Sequence, residues 1–193
     1  YSLTGTDALD FSINSSTGAI TFAATPDFEN PVDANTNNEY LLNVVASDGT
    51  NADTKAIVVN VTNVNDSTPA FSSASSFSIA EGTDAVATLA GTDADGSTPT
   101  FSTTLAGDDA ADFTLTEGGD LAFAATPDFE NPVDANTNNV YSITATITDG
   151  TNTATQAITI TVTNENDNTP AFSSASSFSI AEGTDAVATL AGT

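Results

Sequence analysis

The chain repeats itself at a fixed interval of 101 residues, and that interval limits the folds open to it. Residues 22–38 read FAATPDFENPVDANTNN, and residues 123–139 repeat them letter for letter. Residues 72–92 recur as residues 173–193 at the same offset. A period of this length is the size of a whole β-sandwich domain; solenoid repeats are shorter, roughly 20–45 residues. Each period ends in a seam, VTNVNDSTPAF at 61–71 and VTNENDNTPAF at 162–172. A strand pattern runs into the seam, oxygen-bearing side chains crowd its middle, and a proline and an aromatic open the next strand. Proline lacks an N–H and suits a strand's first residue or an edge.

If the seam bounds the unit, residues 1–66 are the back two-thirds of one repeat, 67–167 a complete repeat and 168–193 the front quarter of a third. Two full periods would need nine more residues, expected to read DADGSTPTF by analogy with residues 93–101. Two expectations follow. Either the chain's ends flank one loop of a periodic polymer or swapped assembly, or the sequence is an excerpt of a longer chain.

Within the complete repeat, alternation marks the strands. Phe77 and Ile79 alternate with serines. Val86 and Leu89 stand three apart, which predicts a bulge in the second strand. Strands follow around residues 101–105, at Phe113 and Leu115, and from Leu121 to Phe123. The clearest pattern places Tyr141, Ile143, Ala145 and Ile147 inward and Ser142, Thr144, Thr146 and Thr148 outward. Asp149-Gly150 is a hairpin turn, and Ile158, Ile160 and Val162 alternate with threonines into the seam. Seven short strands with turns rich in Gly, Asp and Asn predict an all-β fold: tandem antiparallel, immunoglobulin-like Greek-key sandwiches.

Composition narrows the function. Cysteine, methionine, tryptophan and histidine are absent, so there is no disulfide, thiolate zinc site or imidazole base. Lys55 alone faces 26 acids, for a formal charge of −25. Phosphate binding needs Lys and Arg, so nucleic acid is excluded as a partner, and so is an anionic membrane surface. No apolar run is long enough to span a bilayer, and no signal peptide is visible. The period-2 apolar patterns separate the chain from a disordered acidic tail. Hard oxygen ligands in an acidic chain suggest calcium, with bound metal standing in for disulfides as the stabiliser.

Each acid also has an ordinary explanation. Asp27-Phe28-Glu29 and Asp128-Phe129-Glu130 put two carboxylates on one face of an extended segment, as a solvated strand edge also would. Asp93-Ala94-Asp95-Gly96 is a turn in its own right. Asp48 and Asp149 precede Gly49 and Gly150 as hairpin residues do, and Glu81 and Glu182 sit in Ala-Glu-Gly. The loop at 33–38, copied at 134–139, has oxygens at alternate positions but lacks the glycine and closing glutamate of an EF-hand; it reads as an ordered polar loop.

Order and spacing together are more specific, and here the chain resembles cadherin repeats. Glu81, then Asp93 and Asp95, then Asp128 and Glu130, then Asp149, then the 164–172 seam follow that family's sequence of motifs. The 1–3 and 11–20 stretches match its middle strands, so the resemblance covers essentially the whole chain. It implies about three calcium ions in each complete inter-repeat junction. By the resemblance, the first junction uses Asp27, Glu29, Asn63, Asn65 and Asp66 with the carbonyls of Val64 and Ser67, joined by Asp93, Asp95 and Asp149 from the next repeat. The second uses Glu81, Asp128, Glu130, Asn164, Asn166 and Asp167 with the carbonyls of Glu165 and Asn168. Asn63 and Asn164 stand where the family has an acid. A neutral amide oxygen still ligates, so one ion per junction is expected to bind more weakly, against about 10⁻⁴–10⁻³ M for extracellular modules.

The leading function is a calcium-rigidified spacer in a long extracellular or cell-surface adhesion protein. The Thr-, Asn-, Asp- and Ala-rich, lysine-poor composition resembles the repeat regions of large bacterial adhesins. Partners are the adjacent repeats, with other copies joining through strand completion in a fibre. The alternative is a carbohydrate- or protein-binding module of a secreted protein, although most aromatics fall on inward positions. The carboxylate pairs could serve a glycosidase, but they are better explained as ligands, and the chain is expected not to be an enzyme.

Overall fold

The computed structural model describes residues 1–192. Five strands precede the first seam: β1 (Ser2–Thr4), β2 (Phe11–Ile13), β3 (Ile20–Phe22), β4 (Glu39–Ser47) and β5 (Ala52–Asn60). Nine follow it: β6 (Ala70–Phe71), β7 (Ser76–Ala80), β8 (Ala85–Thr88), β9 (Gly91–Thr92), β10 (Thr100–Phe101), β11 (Phe113–Leu115), β12 (Asp120–Phe123), β13 (Val140–Thr148) and β14 (Thr153–Thr163). Short 3₁₀ turns at Ala8–Asp10 and Ala110–Asp112 are the helical elements among the described residues.

The second set forms a complete all-β sandwich. One sheet runs β10-β13-β14-β7, with β7 parallel to β14, and the facing sheet runs β11-β12-β8. The expected alternation holds on β13, where Tyr141, Ile143, Ala145 and Ile147 are all buried. They meet Phe113 and Phe123 from the opposite sheet; Tyr141 stands edge-on to both rings, at 5.5 and 5.2 Å between centroids. Such aromatic pairs contribute about 0.5–1.5 kcal/mol beyond their buried area. The predicted bulge lies at Val86: Leu121 pairs with Ala87 and Ala122 with Ala85, leaving Val86 unopposed. The third strand is shorter than its apolar pattern suggests. Its ladder pairs at Thr100 and Phe101, Ser102 N still donates to the Thr146 carbonyl at 2.9 Å, and a single bridge follows at Ala106.

The first set repeats half of this design. Its β4–β5 hairpin has the register of β13–β14, with Tyr40 opposite Val59 where Tyr141 faces Ile160. Phe11, Phe22 and Tyr40 reproduce the aromatic trio. The outer strand differs. Ile160 and Val162 are 0% and 1% exposed under β7, whereas Val59 and Val61 are only half-buried and Val58 is 52% exposed.

The last stretch makes the same point from the other side. Residues 173–192 copy 72–91, yet a bridge from Phe172 to Gly192 is the only ladder pairing there among the described residues. Leu190 is 57% exposed where Leu89 is 2% exposed. A strand of this composition needs a partner sheet; local preference does not hold it. Thr193, the end of the expected 168–193 segment, lies outside the described residues.

Candidate metal centre at the seams

Four segments meet at the first seam: the turn after β3, the seam itself, the turn after β9 and the turn after β13. Asp93 folds the turn after β9 on itself, its Oδ1 accepting from Asp95 N at 2.9 Å, and Gly96 closes the turn in the left-handed region at φ 78°. Asp95 then reaches back across the seam. Its Oδ2 accepts from Ser67 N at 2.8 Å, and its backbone carbonyl accepts from Asn63 Nδ2 at 2.8 Å. Asp149 arrives from the hairpin turn, its Oδ1 held by Thr151 N and Asn152 N at 2.6 Å each.

Two carboxylate groups result. Glu29, Asp66 and Asp95 form one and Asp93, Asp95 and Asp149 the other, with oxygens within 4.8 Å of one another in each. Glu29 Oε1, Asp93 Oδ2 and Asp95 Oδ1 are buried and have no hydrogen-bond partner. Buried polar oxygens are almost always satisfied, and unpartnered ones are costly. Asn65 adds to the pattern. In one orientation its amide oxygen faces only acceptors; turned over, its nitrogen donates to Asp149 Oδ2 at 2.9 Å and Asp95 Oδ2 at 3.3 Å. Like charges about 4 Å apart repel by roughly 1 kcal/mol in water and about 4 kcal/mol near a protein surface. This hard, anionic oxygen set suits a divalent cation of the calcium type.

The electrostatics bear the crowding out. Desolvation, followed by the neighbouring Asp95 and Asp66 carboxylates, pushes Glu29 above the ordinary range. Burial also acts to raise Asp149, but the N–H groups of Asn152 and Thr151 prevail and hold it below that range.

The second seam assembles one such group. Glu81, Glu130 and Asp167 bring their oxygens within 4.8 Å. Glu81 is buried and rigid, accepting from Phe129 N and Glu165 N at 2.7 Å each. Asn164 Nδ2 donates to Glu130 Oε1 at 2.7 Å, and the Glu165 carbonyl accepts from Asp167 N at 3.1 Å. Asn166 and Asn168 line an open hollow with Glu130 and Asp167. A matching hollow at the first seam is lined by Asp27, Glu29, Val64, Asp66 and Ser67.

Three of the expected site groups, Asp27, Asp128 and the Ser67 carbonyl, also carry hydrogen bonds. Asp27 and Asp128 lie in turns and not in extended segments. Asp27 Oδ1 accepts from Glu29 N and Asn30 N, and its Oδ2 from Asn30 Nδ2; Asp128 does the same with Glu130 and Asn131. An aspartate that bonds its own following backbone closes a turn in place of an extended strand. These bonds, the Asn30 and Asn131 side chains first, hold both carboxyls low. The Ser67 carbonyl is also engaged, accepting from Asn152 Nδ2 at 2.9 Å.

Asn152 was not foreseen as a seam residue, although the same Asp-Gly-Thr-Asn stands at 48–51. Nor were Asp109 and Asp134, which are buried. Asp109 accepts from Ala135 N and Ser142 N, and Asp134 from Asn138 N and Asn139 N. They order the 134–139 loop, whose Asn139 anchors the 128–131 turn by donating to the Phe129 carbonyl at 2.9 Å. That confirms an ordered polar loop.

No protein-family model matches the chain. It is 47% identical over 66 residues to the protocadherin-like wing polarity protein stan of Drosophila melanogaster, a match covering 33% of this chain and 2% of that protein's length. Among solved structures, mouse protocadherin-24 EC1-3 superposes with a TM-score of 0.67 at 22% identity, covering 99% of this chain and 64% of that one. Protocadherin gamma B2 extracellular cadherin domains 3-6 give 0.68 at 19% identity, over 89% and 42%. Drosophila N-cadherin EC1-4 gives 0.63 at 18% identity, over 84% and 40%. The fold is that of cadherin ectodomain repeats. No helix among the described residues is long and apolar enough to cross a membrane.

Proposed function

We propose that the chain is a run of cadherin-like repeats, divided at 1–66, 67–167 and 168–193, acting as a calcium-rigidified spacer in a long adhesion protein outside the cell. The observation that carries this is the trio of buried, unpartnered oxygens on Glu29, Asp93 and Asp95, gathered across one seam. Calcium would be held at the first seam by Glu29, Asn65, Asp66, Asp93, Asp95 and Asp149, with the Val64 and Ser67 carbonyls and Asn63. At the second it would be held by Glu81, Glu130, Asn164, Asn166 and Asp167 with the carbonyls of Glu165 and Asn168. Asp27 joins the first set and Asp128 the second, Asp27 lining the seam hollow beside Glu29. About three ions per complete junction follows from the resemblance.

Near-identical units suit reach more than recognition, since a unique binding surface has no need of copies. Phe101, Phe113, Phe123 and Tyr141 are buried, which removes them as stacking faces for a sugar. The lysine-poor, Thr- and Asn-rich composition favours a bacterial surface protein. Neighbouring repeats are its partners, with other copies joining by strand completion.

Melting the protein across a calcium series tests the metal. A ligand that binds only the folded state raises stability with the logarithm of its concentration. The melting temperature is expected to climb with calcium and fall back with a chelator; a melting temperature indifferent to both would remove calcium from the account.

A further inference from the structure

We propose that Asn38 is the positioning residue for Glu29 at the first seam, as Asn139 is for Glu130 at the second, an assignment that rests on the calcium reading of the seams. Glu29 occupies a place that repels it. Its Oε1 is buried without a partner, and it shares its group with the Asp66 and Asp95 carboxylates within 4.8 Å. No strong bond to the side chain holds it among like charges, so its backbone must. The peptide unit leading into Glu29 is pinned on both sides. Its N–H donates to Asp27 Oδ1 at 3.0 Å, and its carbonyl, that of Phe28, accepts from Asn38 Nδ2 at 2.9 Å.

The Asp27 bond is local to the turn, whereas Asn38 ties the turn to the rest of the repeat. Asn38 N donates to Asp33 Oδ1 at 3.2 Å, and the Asn38 carbonyl accepts from Val61 N at 3.0 Å. Val61 follows β5 directly and opens the seam that carries Asn63 to Ser67. One residue therefore fixes the Glu29 turn against the start of the seam. The complete repeat draws the same three ties around Asn139: to Asp134 Oδ1 at 3.2 Å, to the Phe129 carbonyl at 2.9 Å, and from Val162 N at 2.9 Å.

The residue type meets two demands at once. Asn38 and Asn139 lie in the left-handed region at φ 66° and 62°, where asparagine is one of the few residues with a side chain that is found often. Glycine would allow that backbone but supply no donor. Aspartate would turn an oxygen toward the Phe28 carbonyl. Partners that orient a metal ligand from behind typically cost about 10–100-fold in affinity when removed.

Calcium titration of the 193-residue protein, followed by amide resonances, tests this. Ser67 and Asp95 report on the first seam, and Glu165 and Asp167 on the second. N38G keeps the left-handed backbone and removes only the donor. It should move the Ser67 and Asp95 midpoints to about tenfold higher calcium and leave Glu165 and Asp167 in place; N139G should do the reverse. N38D should weaken the first seam at least as much as N38G. Ile57 packs on the first core away from these bonds, so I57V is the stability control: it should lower the melting temperature and move neither midpoint. In chelator, hydrogen exchange at the Glu29 N–H should quicken in N38G and not in I57V. A first-seam midpoint moved no further by N38G than by I57V, or an N38D protein that matches the parent, would overturn the proposal. Parent resonances indifferent to calcium would remove the metal reading. Exchange at Glu29 would then decide for Asn38 alone: quickened in N38G it keeps the tie, and unchanged it overturns that as well.

Discussion

Asp95 is the residue on which the first seam turns. It belongs to both carboxylate groups there, and its Oδ2 accepts from the Ser67 N–H. D95N removes a charge from both groups and places an amide against the same neighbours. Calcium affinity at this seam should fall at least about tenfold, since charge count and ligand orientation set it. Calorimetric titration checks this, with D53N on exposed β5 as a control that should change nothing. Asp48 offers a view of such a turn without the seam. Asn51 N and Thr50 N hold its carboxyl low. A depressed carboxylate stabilises the fold above the unfolded group's pKa, and that contribution is lost as pH falls through the lower folded value. The Thr50 and Asn51 amide resonances should therefore shift together on acidification, with a midpoint below the ordinary 3.8. At this scale the sequence disclosed which acids exist and in what order. It did not disclose that Asp27 closes its own turn while Glu29 packs against Asp66 and Asp95. Two acids two apart look alike in a string, and only local backbone bonding separates them.

At the scale of elements, strands buried on one face were the most legible part of the chain. β13 announced itself through Tyr141 to Ile147, and the Val86 bulge through one broken alternation. The edge strand β7 was read from Phe77 and Ile79, but its letters alone do not guarantee a strand. The same letters form β7 at residues 76–80 and no strand at 177–181, because pairing and burial come from elsewhere in the fold. Turns add a rigid requirement that the alternation hides. Gly119 sits at φ 96°, and a Cβ there would lie 2.4 Å from the Leu89 carbonyl oxygen. G119A combines left-handed backbone strain with a clash between β12 and the end of β8. It should destabilise the complete sandwich by about 2–3 kcal/mol or more, measured by urea unfolding. G150A also takes a left-handed position, at φ 96°, but has nothing within 4 Å of the added carbon. It should cost distinctly less.

Across the whole molecule, apolar contact accounts for each core, while the seam between them is lined chiefly by oxygens. The metal-free seam is a place of mutual repulsion relieved by a few amide bonds, such as Asn152 to the Ser67 carbonyl. Cations would turn the same groups into a rigid joint. The absence of cysteine gives a clean route to testing that. Spin labels on K55C and T155C place one probe on β5 and one on β14, on opposite sides of the first seam. In protein diluted with unlabelled chain, the pulsed electron resonance distance distribution should be narrow in calcium and broaden on adding chelator. A distribution of the same width in both conditions would contradict a joint fastened by metal.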